Sequence, residues 1–491
     1  MQKNLYENIQ QVLKKENINI VLGNIYELMD VWEEWYKGSV DKFHYYDIKL
    51  ADGTNAQMER RTMNMPKKLC EDFSSLIWSE KVEIKLNKKK NTERLWGILD
   101  SKENSFAFNF PQFIEKLYAY GTMVTVEYKK DDKTIIDYIN GNIIFPYKYT
   151  NSYINGIITV SRNIEEDKKK KKYYTLLTYH EYENGEYLKT NELYVSTKEN
   201  ELGKEIPFES MYEGVERDET IVTEHPRFQV WKLPIANNFD TQSPMGISIL
   251  ANQIDKFKSI DIKYDSFDHE FSSGKRRILI DRSAVKKQAT GVDDQNNIIY
   301  TSYFDSNDDV YVAIEGMNNE PVKSIDFQLR TEEHIKGINA ELNYLSAGVG
   351  LGNNFYSFDG QGLKTATEVI SENSDTYRTK VKHQNAIYDC LYDLIAAICE
   401  MEGIEYKDIS ITFDDSIVQD EEALINRGIK LINAGLISKE KFMKKYLHYE
   451  DSEISDELAK IQEDNKIIQP EGVDFFGLDN EENEDEVQNK Q

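Results

Sequence analysis

Between Thr122 and Val195 apolar and polar residues alternate through six short runs, TMVTVEYKK, TIIDYING, NIIFPYKY, GIITVSRN, YYTLLTYHEYENGEYLKT and NELYVS. A period of two puts successive side chains on opposite faces of a strand, so each run has one face to bury and one to solvate. Runs this closely spaced connect through turns, and Asn184-Gly185 suits a tight hairpin. An antiparallel sheet is expected here, which excludes a wholly helical chain. The five lysines Lys168 to Lys172 fall between two runs and read as a solvated loop, with a phosphate-contacting patch as the sharper alternative.

Around this region the period becomes helical. Up to Tyr36, Leu22, Leu28, Val31 and Trp35 recur among charges, and HYYDIKLADGTN then reads as extended chain and a turn. From Asn64 to Ser79, Met65, Leu69, Phe73, Leu76 and Ile77 share one helical face. A long helix is expected over 244–272, with Pro244 in its first turn and a stripe of Ile247, Leu250, Ile254, Phe257, Tyr264, Phe267 and Phe271. At 1.5 Å per residue it would span about 42 Å and need neighbours along its length.

Residues 273–326 are turn-rich and strand-like, which fits a small α/β module. A second helix follows to Leu345, then the glycine-rich SAGVGLGNNFYSFDGQG. Thr365 and Glu368 have capping-box spacing and open a third helix that carries Val369, Tyr377, Val381, Tyr388, Leu391, Ile395 and Ile398 to about Met401. ISITFDDS reads as one strand, and EEALINRGIKLINAGLISKEKFMKKYL and SDELAKIQEDNK as further helices. The fold class is therefore α+β, in an elongated multi-domain arrangement suited to 491 residues.

Charge and motifs narrow the chemistry. The net charge is -27, residues 450–491 hold 15 acidic and 3 basic residues, and the closing GLDNEENEDE composition cannot bury apolar area. Such a chain is unsuited to gripping phosphates through a basic surface. No phosphate loop GxxxxGK[ST], HExxH or GxSxG occurs. GVGLG, residues 348–352, follows a helix pattern, whereas a dinucleotide fingerprint follows a strand. The seven histidines are scattered singly and show no metal-ligand spacing with one another or with cysteine. No catalytic, cofactor or metal residues are assigned.

Cys70, Cys390 and Cys399 read as buried thiols of a reducing compartment, and no run has the length of a signal core or membrane span. The pairs Asp293-Asp294, Asp308-Asp309 and Asp414-Asp415 could hold Mg2+ in a nuclease, though adjacent acids are commonplace in an acidic chain. Lys275, Arg276, Arg277, Arg282, Lys286 and Lys287 form the densest basic cluster, a solvated face or a contact for DNA or an acidic partner.

The stretch YLSAGVGLGNNFYSFDGQGLKTATEVISENSDTYRTKVKHQ resembles the loop and long helix of portal proteins from phages with long non-contractile tails. PMGISILANQIDKFKSIDIKYDSFDHEFSSGKRRILI resembles the segment that precedes them, in the right order, and the resemblance covers most of residues 60–440. It implies a wing over 1–243 and 363–419, stem helices over 244–272 and 327–345, a clip over 273–326, a tunnel loop over 346–362 and a helical crown over 420–475. The acidic tail, 476–491, is expected to stay unstructured.

The same resemblance implies a non-enzymatic, dodecameric ring at one capsid vertex, assembled in the host cytoplasm, through which double-stranded DNA is packaged and ejected. Its expected partners are further copies of itself, the terminase large subunit, head-completion proteins, and the major capsid and scaffolding proteins, with no membrane and no cofactor. In the tunnel loop, Gly350 and Gly352 permit unusual backbone angles, while Asn353, Asn354, Tyr356, Ser357, Asp359 and Gln361 offer polar contacts that could follow DNA without clamping it. Another head-tail connector or minor capsid subunit would share this composition, and a metal-dependent nuclease would need the acidic pairs.

Overall fold

Alternation becomes antiparallel pairing in the computed structural model, which describes residues 9, 25–50, 53–78, 82–167, 170–275, 277–281, 287–292, 298–302, 311–314, 322–359, 366–413, 421–447, 449 and 454–461. Two units divide the chain, Met1–Asp414 and Asp415–Gln491.

In the first unit β1 (Tyr45–Lys49) pairs β2 (Asn55–Glu59), and β3 (Glu83–Lys85) waits for a distant partner. The alternating region forms β4 (Thr122–Lys130), β5 (Lys133–Asn140), β6 (Ile144–Thr150), β7 (Tyr153–Asp167), β8 (Lys170–Glu183) and β9 (Glu186–Ser196). β10 (Lys204–Ile206) and β11 (Asp218–Val222) both pair with β9, giving a sheet of order β10-β9-β8-β7-β6, while β12 (Phe228–Lys232) joins β4 and β5 in a second sheet. Asn184 and Gly185 turn β8 into β9 at φ of 54° and 81°, the left-handed pair that a two-residue hairpin needs.

Three lysines of the run, Lys170 to Lys172, lie in a strand and not in a loop. Their register sets Lys170, Lys171 and Lys172 opposite Asp167, Glu166 and Glu165 of β7, and Lys171 pairs with Glu166 at 4.0 Å. Lys168 and Lys169 lie outside the described residues.

The helices fill the other side of the core. α1 (Ile25–Lys37) buries Ile25, Tyr26, Met29, Trp32 and Trp35, whereas Val31 is exposed, so its true stripe is displaced from the expected one. Tyr26 sets the rotation by donating its hydroxyl to the Ile144 carbonyl at 2.8 Å. α2 (Met65–Ile77) buries all five of its expected apolar residues. After α3 (Lys89–Leu99) comes α4 (Phe106–Tyr120), whose Phe106, Phe110 and Phe113 stack in sequence against Trp78 and Trp231.

The expected helix over 244–272 begins ten residues late, as α5 (Ile254–Ser273), after a single 3-10 turn at Ala251–Gln253. Its length is then about 30 Å. The cause is Gly121, at φ +76°, where a Cβ would stand 2.1 Å from the Ile247 carbonyl carbon. Three N–H groups of the chain from Gly246 to Leu250, which passes against that glycine, are already taken. Gly246 donates to Thr122 Oγ1 (2.9 Å), Ile249 to the Tyr118 carbonyl (3.1 Å) and Leu250 to Ser248 Oγ (3.0 Å). Ile247 and Leu250 are buried, but outside the helix.

Between 277 and 325 the described residues form only strands and no helix. β13 (Arg277–Asp281) pairs β16 (Tyr311–Ile314) in parallel and β17 (Val322–Ile325) antiparallel, and β14 (Lys287–Val292) pairs β15 (Ile298–Ser302). Then come α6 (Thr331–Gly348), three residues longer than expected at its end, and α7 (Ala366–Glu402). β18 (Ser410–Thr412) closes on β3.

α7 keeps the later part of its expected stripe, with Leu391, Ile395 and Ile398 buried, and departs from it earlier, where the buried face runs through Thr376, Lys380, His383, Gln384 and Ile387 instead of Tyr377, Val381 and Tyr388. His383 fits because a neighbour bonds it: Tyr118 Oη lies 3.0 Å from His383 Nδ1, and burial lowers that imidazole to about 4, keeping it neutral. The three cysteines are free thiols, and burial raises Cys390 and Cys399 to about 12.

The second unit carries α8 (Glu421–Asn433) and α9 (Lys439–Tyr446). Ser438 caps α9 by accepting from the Lys441 N–H at 3.1 Å, and Gly428 leaves room for the Phe442 ring, which a Cβ would meet at 2.4 Å. The tail expected to be unstructured, 476–491, lies outside the described residues.

Candidate functional site: a paired-helix stem and its loop

α5 and α6 run antiparallel, because the end of each meets the start of the other. At one end Glu270 accepts from the Arg330 backbone N–H (3.1 Å), its Nε (3.1 Å) and its Nη2 (2.8 Å), with His334 Nε2 at 3.5 Å. Those charge-assisted bonds hold the Glu270 carboxyl down at about 2. Midway, Glu341 accepts from Ser259 (2.9 Å) and Lys263 (2.8 Å). At the other end Gln253 donates to the Gly348 carbonyl at 3.2 Å.

A second face of α5 is tied elsewhere. Asp261, Asp265 and Asp268 recur at helical spacing, and each meets the segment after β2. Asp261 accepts from the Met63 N–H (2.9 Å) and Thr62 (3.1 Å), Asp265 from the Arg61 N–H (3.1 Å), and Asp268 pairs with the Arg61 side chain (2.9 Å). Asp261 is buried, and its other oxygen faces His44 Nε2 at 3.2 Å.

The glycine-rich loop leaves α6 at Val349 and doubles back. Gly350, at φ +79°, would place a Cβ 2.6 Å from Thr379 Oγ1, so only glycine fits there. Its carbonyl accepts from Thr379 at 2.5 Å, and the Gly352 N–H donates to Thr376 Oγ1 at 3.0 Å. The two threonines thus fasten the loop to α7. Further on, the Tyr356 N–H donates to Ser346 Oγ (3.3 Å) and the Phe358 N–H to Asn339 Oδ1 (2.7 Å), while the Phe358 ring packs edge-on against Tyr264 and Phe267 of α5.

This geometry sorts the sequence-predicted residues. Gly350 and Gly352 are anchors, and Tyr356, expected as a polar contact, is buried, its phenol raised by burial and by the nearby Asp72 carboxylate. Asn353, Asn354, Ser357 and Asp359 are exposed, with Asn354 at φ 62°. Phe355, which the sequence reading passed over, is 44% exposed beside the two asparagines. An aromatic within a polar, glycine-rich run was the available signal.

Gln361 and Thr365 lie outside the described residues, and Glu368 falls in the first turn of α7. Of the basic cluster, Lys275 is exposed just after α5, Arg277 and Lys287 begin β13 and β14, and Arg276, Arg282 and Lys286 lie outside the described residues. Asp293, Asp294, Asp308, Asp309, Asp414 and Asp415 lie outside them too.

No described helix is long and apolar enough to cross a membrane. A comparison with curated proteins finds no match. The family model for phage portal proteins of the SPP1 Gp6-like type, a virion structural family of genome packaging, matches residues 13–471, nearly the whole sequence. With helix, glycine-rich loop and helix in the order that the resemblance requires, this chain belongs to the SPP1 Gp6-like family of phage portal proteins.

Proposed function

We propose that this portal protein assembles into a ring, dodecameric as its family resemblance implies, at one capsid vertex, and that DNA enters and leaves through the ring's axis. The stem is the α5–α6 pair, 254–273 and 331–348, the clip lies between them, and the tunnel loop is 349–362. The wing comprises the chain before α5 and residues 363–419, and the crown 420–475. Terminase and head-completion proteins dock on the ring, the major capsid and scaffolding proteins surround it, and it catalyses no reaction itself.

The observation that carries this reading is the stem. Two helices clamped at both ends and in the middle make a stiff strut, yet Ile262, Phe271 and Tyr344 stay exposed on it, Tyr344 by 62%. An apolar surface of that kind is covered when an identical strut stands beside it in a closed ring. The charge agrees, since DNA must slide past the wall, and each added cationic contact would raise the barrier to movement. At the loop, Asn353, Asn354 and Phe355 present a neutral tip held by the Gly350 and Gly352 anchors.

The test is substitution on the strut. Ile262→Glu and Tyr344→Glu should each shift mass photometry from a species near twelve times the 57.3 kDa chain to the monomer, with circular dichroism unchanged. Rings that persist in both variants would place the subunit interface elsewhere.

A further inference from the structure

His225 shows no ligand spacing along the sequence, but the fold brings it to two carboxylates. After β11 ends at Val222, the chain crosses to β12 through Thr223, Glu224, His225 and Arg227. This crossing meets the C-terminal end of α7. A ring nitrogen of His225 and one carboxylate oxygen each from Glu224 and Glu400 all lie within 4.8 Å of one another.

The surroundings prepare these groups. His225 Nδ1 lies 3.1 Å from Asp393 Oδ1, and a carboxylate on one ring nitrogen fixes the tautomer and leaves the other as a lone-pair donor, the outer-shell arrangement of metal-bound histidines. Tyr406 Oη stands 2.8 Å from Glu400 Oε1 and 3.2 Å from Glu224 Oε2, but a phenol has one proton and serves one carboxylate at a time. The Thr223 hydroxyl reaches both Glu400 and the His225 carbonyl, and its one proton likewise serves one of them. Three carboxylates therefore converge, and Arg227 Nη2 lies 3.6 Å from Glu400.

A neighbouring cavity shares Glu400 with this cluster and is also lined by Lys129 and Lys189. Glu127, Arg227 and Glu400 line this cavity of about 430 Å3. Glu127 is 2% exposed, and neither of its oxygens meets a hydrogen-bond donor in good geometry, nor does Arg227 Nε find an acceptor. Buried polar groups left this way are met by a proton, a water or a bound ion.

We propose that Glu224, His225 and Glu400 hold a divalent cation of the zinc or manganese class, which staples the β11–β12 crossing to the end of α7. One imidazole with two carboxylates suits these ions better than calcium or magnesium, which favour all-oxygen shells. Bonds of about 2.1 Å place tetrahedral ligands about 3.4 Å apart, so the exposed Glu224 has only to swing inward. The site stands on this chain's own residues, whatever the chain assembles into.

The experiment is calorimetric titration of ZnCl2 into the full-length, tag-free protein after chelator treatment, with MgCl2 as the comparison. One equivalent per chain is expected, together with a rise in Tm. His225→Ala and Glu400→Gln should each weaken binding at least tenfold, and Glu224→Gln, at an exposed position that leaves folding intact, should do the same. Co2+ should give a visible absorption band that disappears in His225→Ala. Zn2+ binding that is absent, or equally tight in the Glu224 and His225 variants, would overturn the proposal.

Discussion

Asp261→Asn removes one charge and nothing else in outline, yet no orientation of the new amide satisfies its site. The Val40 N–H donates to His44 Nδ1 at 2.9 Å, so the ring's proton sits on Nε2 and is donated to Asp261 Oδ2. The other oxygen accepts from Met63 N–H and Thr62 Oγ1. With the amide NH2 toward His44, two donors face each other; flipped, the NH2 confronts the Met63 N–H instead. An unsatisfied buried donor costs about 1–3 kcal/mol, and loss of the anionic acceptor adds to it, so about 3 kcal/mol is expected.

For a cooperative unit of 414 residues, an unfolding entropy near 2.1 cal/mol/K per residue converts this to a fall in Tm of about 3 to 4 °C. Near-ultraviolet circular dichroism of the dilute protein on heating measures it. A variant that unfolds within about 1 °C of the parent would refute the claim that this buried junction fastens α5 to the segment after β2.

Three other outcomes are expected. Burial raises Glu127 from 4.5 to about 8, so the stability held in its protonated form is complete below 4.5 and is lost as pH rises through 8. Glu127→Gln should therefore gain Tm over the parent progressively from pH 5 to pH 8, and a pH-independent difference would contradict the assignment. Phe110→Ala, which empties the centre of the Phe106–Phe113–Trp78–Trp231 stack, should cost about 3–5 kcal/mol in urea unfolding, and a loss under about 1 kcal/mol would refute its place in the core. Replacing Asn353, Asn354 and Phe355 by glycine should leave rings intact but reduce packaged DNA per particle, because the anchors at Gly350, Gly352 and Tyr356 remain; normal packaging would remove the tip from the channel. Deleting 348–361 outright would instead tear those anchors from α7 and α6.

Legibility followed the range of the interactions. The 65–77 stripe and the Asn184-Gly185 hairpin were readable because neighbours within a few residues decide them. The start of α5 was not, since Ile247, Leu250 and Ile254 keep helical spacing while the close approach of Ile247 and Ser248 to Gly121 keeps the helix from starting before Ile254. The face of α7 was obscured for a related reason: Thr376, Thr379 and His383 look solvent-facing until the loop and Tyr118 supply their partners. The tunnel-loop glycines were visible as composition, but not which residues anchor and which protrude. His225 and Asp393, 168 residues apart, meet only through the fold.

The family assignment rests on the match and on the order of helix, glycine-rich loop and long helix; the claim that matters most is the ring. Electron microscopy of the purified protein, with two-dimensional averages viewed down the axis, tests it most directly. A closed ring of about a dozen subunits with an axial hole of roughly 20 Å or more, wide enough for duplex DNA, is the expected result. Monomers at high concentration, or a ring with no open axis, would contradict the channel reading.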